Sequence, residues 1–130
     1  MARPPTRDDD RGSATLQLVA VFPAFLLIVL LVVQAALIWH ARNIAEAAAQ
    51  EGLRSARLFD GSAAAGRAGA RSFLAQTAGD LLTVPSVAAD RDSQRARVEV
   101  RGAVLSLLPG VRPQVQAVAA GPVERFVPGP

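Results

Sequence analysis

The dominant feature of the hydrophobic pattern is one apolar run near the N-terminus. Residues 16–39 carry no formal charge and are apolar except for Gln17, Pro23 and Gln34. As a helix, these 24 residues would span about 36 Å, enough to cross a hydrocarbon core of about 30 Å. The fifteen Leu, Ile, Val and Phe residues after Gln17 favour insertion by about 5–9 kcal/mol. The pattern therefore predicts a transmembrane helix over residues 13–40.

The helical pattern continues beyond this run, in a segment that is rich in alanine and free of proline. Apolar residues recur there on one helical face, and Gly61 follows as a stop signal. The residues of this face are Ala41, Ile44, Ala48 and Leu58. We therefore predict an extramembrane extension over residues 41–59, so that one long helix runs from about residue 15 to residue 59.

A second helix is predicted from about residue 62 to residue 82. It carries a narrow apolar stripe at helical spacing, although three glycines weaken it. The stripe consists of Ala70, Phe73, Leu74, Thr77 and Leu81.

After Pro85 the period changes from that of a helix to that of a strand. In "RARVEVRG" (95–102) charged residues alternate with small apolar ones, and "VRPQVQAVAA" (111–120) alternates in the same way, with Val111, Val115, Ala117 and Ala119 on the apolar face. A period of two with one polar face is typical of antiparallel strands. The Pro109–Gly110 turn signal between them predicts a hairpin, and "TVPSVAA" is a candidate third strand.

The order of long helix, second helix and strands predicts an α+β fold. We expect a small α+β domain over residues 60–127 with a short antiparallel sheet, followed by a mostly irregular tail. A soluble part of this size buries little surface alone, so we expect it to rest on the extramembrane half of the long helix.

Composition excludes several classes of site. There is no cysteine and only one histidine, His40, so disulfides, thiolate metal sites and histidine clusters are excluded. All 14 basic residues are arginine, but they are interspersed with acids, and three of the six aromatic residues lie in the apolar run. This pattern argues against nucleic-acid binding. No arrangement of residues indicates a catalytic site, so we expect no catalysis, no metal and no cofactor.

The first twelve residues form a polar leader. It contains two prolines and charges of both signs, and we expect it to be disordered. Three consecutive aspartates within it are typical of a solvated tail rather than of a metal site.

Two side chains in the second half of the apolar run have structural interpretations. Trp39 is predicted to anchor the helix at the membrane interface, where tryptophan is enriched. Gln34 could hydrogen-bond across a helix interface or to a carbonyl of its own helix, and the sequence does not separate these two interpretations.

The start of the apolar run carries a more specific arrangement. The polar leader ends at Gly12, Ser13 follows, and the helix then has a polar residue, Gln17, at the fifth place after the glycine and Pro23 at the eleventh. This arrangement resembles the class III signal of type IV pilin-like proteins. More specifically, residues 11–57 resemble the TadE-like proteins of the tight-adherence (Flp) pilus system.

The resemblance implies a role in pilus or secretion-apparatus assembly. A membrane prepilin peptidase would cut between Gly12 and Ser13, with this chain as its substrate. The other implied partners are pilin-like subunits, membrane proteins of the secretion platform and the lipid bilayer. Gln17 and Pro23 would take part in helix packing during assembly.

One position departs from the family pattern. The family usually carries glutamate where this chain has Gln17, and a carboxylate there can neutralise the N-terminal amine of a neighbouring subunit. Glutamine is cheaper to bury but offers only a hydrogen bond. The departure favours an accessory or minor subunit over the main filament protein.

Orientation is not decided by charge, because three arginines lie within about 20 residues of each end of the apolar run. The resemblance implies a single-pass membrane protein with a cytoplasmic N-terminus and an extracytoplasmic domain. Two alternatives stay open: an unprocessed single-pass anchor whose domain binds a partner, and a secreted domain whose signal peptide is cleaved after "VQA", before Ala36.

Overall fold

The computed structural model describes residues 8–129. It has two helices followed by three strands: α1 (Asp8–Arg57), α2 (Ala63–Thr77), β1 (Leu82–Arg91), β2 (Arg95–Val104) and β3 (Gln114–Pro122). The chain divides into two compact units, Met1–Val33 and Gln34–Pro130. The predicted α+β fold, with its element order, is confirmed.

The helix α1 begins earlier than expected. It starts at Asp8, so the last five residues of the polar leader are helical, whereas we expected disorder up to residue 12. Gly12 does not interrupt the helix, because an interior glycine costs only about 1 kcal/mol relative to alanine. The helix also continues through Pro23 without a break. Residues 1–7 of the predicted leader lie outside the described residues.

At its other end α1 stops at Arg57, two residues before the predicted end. Leu58 is therefore not on the buried helical face, and it is 44% exposed, so its assignment to that face was wrong. The chain turns here because the Gly61 amide donates to the Leu58 carbonyl at 2.8 Å. The Arg57 carbonyl accepts from the Glu124 amide, which satisfies one of the free carbonyls at the helix end.

The second helix has clear start and stop signals. The Ser62 hydroxyl accepts a hydrogen bond from the Ala65 amide at 3.0 Å, an N-cap. The helix ends at Thr77, and Gly79 adopts a φ of +51°, which glycine tolerates and most residues do not. The predicted end at residue 82 was therefore wrong, because Leu82 already begins β1. Thr77 is exposed and does not belong to the buried stripe.

The sheet is antiparallel throughout, with the order β1-β2-β3. The predicted hairpin of the last two strands is confirmed, and the candidate strand "TVPSVAA" lies within β1. β3 begins at Gln114, later than the alternation indicated. The Val104 amide at the end of β2 donates to the Pro113 carbonyl, so the residues before Pro113 form a loop. Val111 lies in this loop and is exposed, so its assignment to the apolar face was wrong.

One face of the sheet packs against α2 and residues 34–57 of α1. The alternation in β2 is confirmed, because its small apolar residues point inward and its arginines outward. The predicted helical face of α1 is confirmed at Ala41, Ile44 and Ala48. The core residues of all elements are Ala41, Ile44, Ala45, Ala48, Ala49, Leu53, Ala56, Ala70, Leu74, Ala78, Leu82, Val87, Ala89, Ala96, Val98, Val100, Val104, Val115, Ala117 and Ala119. Alanine supplies more than half of them, so the layers lie close together.

Candidate functional site

The first compact unit presents an apolar helical surface to the outside on every side. The large apolar residues of α1 from Leu16 to Val33 are exposed except for the half-buried Leu30, with Phe22 at 62% and Phe25 at 60%. In the described chain, α1 is the one helix long and apolar enough to cross a membrane, and none of its most apolar window is buried. A soluble protein rarely exposes a contiguous apolar surface of this size, so it requires lipid or another apolar helix as a partner.

The Gly12–Ser13 peptide bond lies within α1, one turn from its start. Both residues are exposed, and a Cβ built on Gly12 would meet nothing within 4 Å. The Thr15 hydroxyl donates to the Arg11 carbonyl at 2.9 Å across this bond. The bond is thus accessible but helical, and the glycine makes this turn cheaper to unwind by about 1 kcal/mol than alanine would.

Gln17 and Pro23 do not form a joint site. Both are exposed, and they lie six residues apart, about 9 Å along the helix axis. Because each residue advances by about 100°, they lie on different faces. Pro23 has no amide hydrogen, so the Val19 carbonyl lacks its usual helical donor. Pro23 lines a shallow apolar depression with Leu18, Val19 and Phe22, and Gln17 is not part of it.

Gln34 has a role that neither sequence interpretation included. Its side chain is 4% exposed, and its amide bonds the loop between β2 and β3 in two places. The Nε2 group donates to the Leu105 carbonyl at 3.1 Å, and Oε1 accepts from the Leu107 amide at 2.7 Å. The sequence indicated only that a polar residue lies in an otherwise apolar segment. It did not identify the partner of Gln34.

Trp39 and His40 are both exposed on α1. The indole of Trp39 is 67% exposed, which leaves it available to a membrane interface. Leu37 and Ile38, which precede Trp39 in α1, are partly buried and pack against the core.

The charged groups of the second unit stabilise turns and the outer sheet face. Asp92 accepts from the backbone amides of Gln94 and Arg95, both at 2.7 Å, and these bonds hold the pKa of its carboxyl below the ordinary value. Glu99 pairs with Arg97 and Arg101 on the outer face. Among residues 8–129, no group of three metal-ligating side chains is found.

These observations define a class of protein. An exposed apolar N-terminal helix, long enough to cross a membrane, continues into a small α+β unit whose core it helps to form. This order, a long apolar helix followed by a small α+β unit, is the one expected of a pilin-like protein.

Comparison with known families gives the particular assignment. Residues 12–54 match the TadE-like protein family, so the chain carries a TadE-like domain that begins at Gly12 and covers about a third of its length. The resemblance drawn from the sequence is thereby confirmed for this segment. Comparisons with curated proteins and with solved structures gave no match.

Proposed function

We propose that this protein is a non-enzymatic, pilin-like membrane protein that acts in the assembly of a Tad (Flp) pilus or a related secretion apparatus. The observation that carries the proposal is the position of the TadE-like match. It starts at Gly12 and includes the whole exposed apolar stretch of α1. The family features are thus concentrated in the part of the chain that needs an apolar partner.

The apolar stretch of α1 acts by packing in the bilayer with lipids and with the helices of other pilin-like subunits. Gln17 and the free carbonyl of Val19 are the polar groups that it can offer to such helices. Since glutamine carries no charge, Gln17 contributes a hydrogen bond to a neighbouring subunit rather than an ion pair. This suits a minor or accessory subunit.

Processing by a prepilin peptidase would occur between Gly12 and Ser13. Support for this comes from the exposure of both residues and from the low cost of unwinding a helical turn that contains glycine. In this proposal the N-terminus is cytoplasmic, Trp39 lies at the outer membrane–water interface, and the α+β unit is extracytoplasmic.

The test is the mass of the protein after co-expression with a prepilin peptidase. We expect loss of residues 1–12 from the wild-type chain and an intact leader in a Gly12→Leu variant. The matched control is Gly129→Leu, which alters a glycine far from the bond that also has nothing within 4 Å of an added Cβ, and which should still be trimmed. An unprocessed wild-type chain, or trimming that continues unchanged in Gly12→Leu, would show that the protein is not a prepilin substrate.

The structure weighs against the alternative of a cleaved secretory signal. Cleavage before Ala36 would remove Gln34, which is buried and bonds the β2–β3 loop at two points. A domain released in this way would lose two hydrogen bonds of its own fold. Recovery of the chain in the membrane fraction after a carbonate wash separates a retained span from a secreted domain.

A further inference from the structure

The second compact unit begins at Gln34, inside the segment that the sequence assigned to the membrane. Residues 13–33 alone form a helix of about 32 Å, which already matches a hydrocarbon core of about 30 Å. The apolar residues that follow are therefore not needed to cross the bilayer. Gln34 then lies at the boundary between hydrocarbon and headgroups, and Trp39, about 8 Å farther along the axis, lies among the headgroups.

The β2–β3 loop, residues 105–113, is held at the level of Gln34. Both polar atoms of the Gln34 amide bond its backbone, and the Leu105 amide donates to the Leu81 carbonyl of the α2–β1 turn at 2.9 Å. The loop is thus attached at two neighbouring backbone positions. It cannot move away from α1 without leaving a buried amide unpaired.

The composition of this loop suits a lipid environment. Its sequence is "LSLLPGVRP", and it exposes Leu105 at 43%, Leu107 at 42% and Val111 at 44%. It contains no acidic residue, and its one charged residue, Arg112, lies near the end of the loop. An arginine there can keep its guanidinium among headgroups while its neighbours reach the acyl chains.

The opposite end of the sheet carries more charged residues, although Phe59 and Phe126 are also exposed there. The β1–β2 turn and the strand ends beside it carry Arg91, Asp92 and Arg95, and the chain after β3 carries Glu124 and Arg125. The end at the level of Gln34 carries fewer charged residues, Asp80 in the α2–β1 turn and Arg112 in the loop.

From these observations we infer that the β2–β3 loop inserts into the outer headgroup–acyl boundary of the same bilayer that α1 crosses. Lipid, rather than a protein partner, covers Leu105, Leu107 and Val111. The loop is a second membrane contact that fixes the depth and tilt of the α+β unit, in the manner of an interfacial amphipathic segment. This inference rests on the proposed membrane span of the protein.

The test uses fluorescent labels on single cysteines in the full chain, which contains no cysteine of its own. The protein is reconstituted in vesicles of phosphatidylethanolamine and phosphatidylglycerol, with and without lipids brominated on the acyl chains. The variants are Leu107→Cys, Leu105→Cys in the same loop, and Val118→Cys. Val118 is a matched control because it is 45% exposed on the outer face of the sheet. Phe25→Cys, in the span, is the reference.

We expect brominated lipids to quench the labels at positions 107 and 105 several-fold more than the label at 118, and aqueous iodide to show the reverse order. Equal and weak lipid quenching at 105, 107 and 118 overturns the inference. Weak quenching by both agents at 107 also overturns it, because a protein partner then covers the loop. If the label at position 25 is not quenched by lipid either, the proposed membrane span itself is wrong.

Discussion

Gly52 of α1 and Gly66 of α2 bring the two helices of the second unit into backbone contact. A Cβ built on Gly52 would lie 2.7 Å from the Gly66 carbonyl oxygen, and one built on Gly66 would lie 2.9 Å from the Ala56 Cβ. Val98 of β2 packs beneath both glycines. The helices can approach this closely because no side chain separates them at the crossing.

Gly52→Ala should therefore destabilise the α+β unit. The added methyl meets a backbone atom that cannot rotate away, so we expect a loss of about 1–3 kcal/mol, partly offset by the better helix propensity of alanine. The measurement is thermal unfolding of the full chain in detergent. Gly69→Ala is the matched control, because its Cβ would meet the Ser55 hydroxyl, which can rotate. Equal stability of the two variants would contradict the close crossing.

Gln34→Leu should weaken the attachment of the β2–β3 loop. Leucine keeps the volume of the side chain but leaves the Leu105 carbonyl and the Leu107 amide without partners, at an expected cost of about 1–3 kcal/mol. Hydrogen exchange should become faster at the Leu107 amide. Gln17→Leu is the control, since Gln17 is exposed in the first unit. Unchanged exchange at Leu107 in the Gln34 variant would show that these hydrogen bonds do not hold the loop.

Stability should fall in acid through Asp92. Its pKa is lowered in the folded state by the hydrogen bonds from the Gln94 and Arg95 amides, so the charged form is favoured on folding. This stabilisation is present above the unfolded pKa of about 4 and is lost as the pH falls toward the lower folded value.

Asp92→Asn tests this pH dependence, because an amide oxygen can accept the same hydrogen bonds without titrating. The midpoint of thermal unfolding is measured against pH for both proteins, and the difference between them isolates Asp92 from the other carboxyls. We expect the wild-type advantage to shrink below about pH 4. A difference that does not vary with pH would exclude Asp92 as a source of acid sensitivity.

Ser62→Ala should destabilise α2 by about 1 kcal/mol, because the N-cap hydroxyl that accepts the Ala65 amide is lost. Ser62→Asp should restore most of the stability, since aspartate is an equally good N-cap. Ser72→Ala, on the exposed side of the same helix, should have little effect or a small stabilising one. Chemical denaturation of the three variants gives the comparison, and a cost at Ser72 equal to that at Ser62 would argue against the cap.

Local patterns predicted the type of every element. The alternation of arginine with Ala96, Val98 and Val100 identified β2 and its buried face, because side chains of a strand alternate strictly between two faces. The apolar run identified α1, because length and hydropathy are enough to indicate a membrane helix.

The ends of the helices and the partners of the polar side chains are set by residues that are distant in sequence. The helical stripe did not show that α1 ends at Arg57, before Leu58. It also did not show that α2 ends before Gly79 and that Leu82 begins β1, because helical and strand periods cannot be distinguished over such short apolar runs. Gln34 could not be assigned a partner, since the Leu107 amide is 73 residues away.

The sequence by itself determined the long apolar helix, the α+β order and the inner face of β2, because each is encoded by neighbouring residues. Only the tertiary structure decided where the folded unit begins, at Gln34, and why Gly52 and Gly66 must be small. Both follow from surfaces that meet only when distant segments pack, so they depend on the shape of the partner rather than on any local pattern.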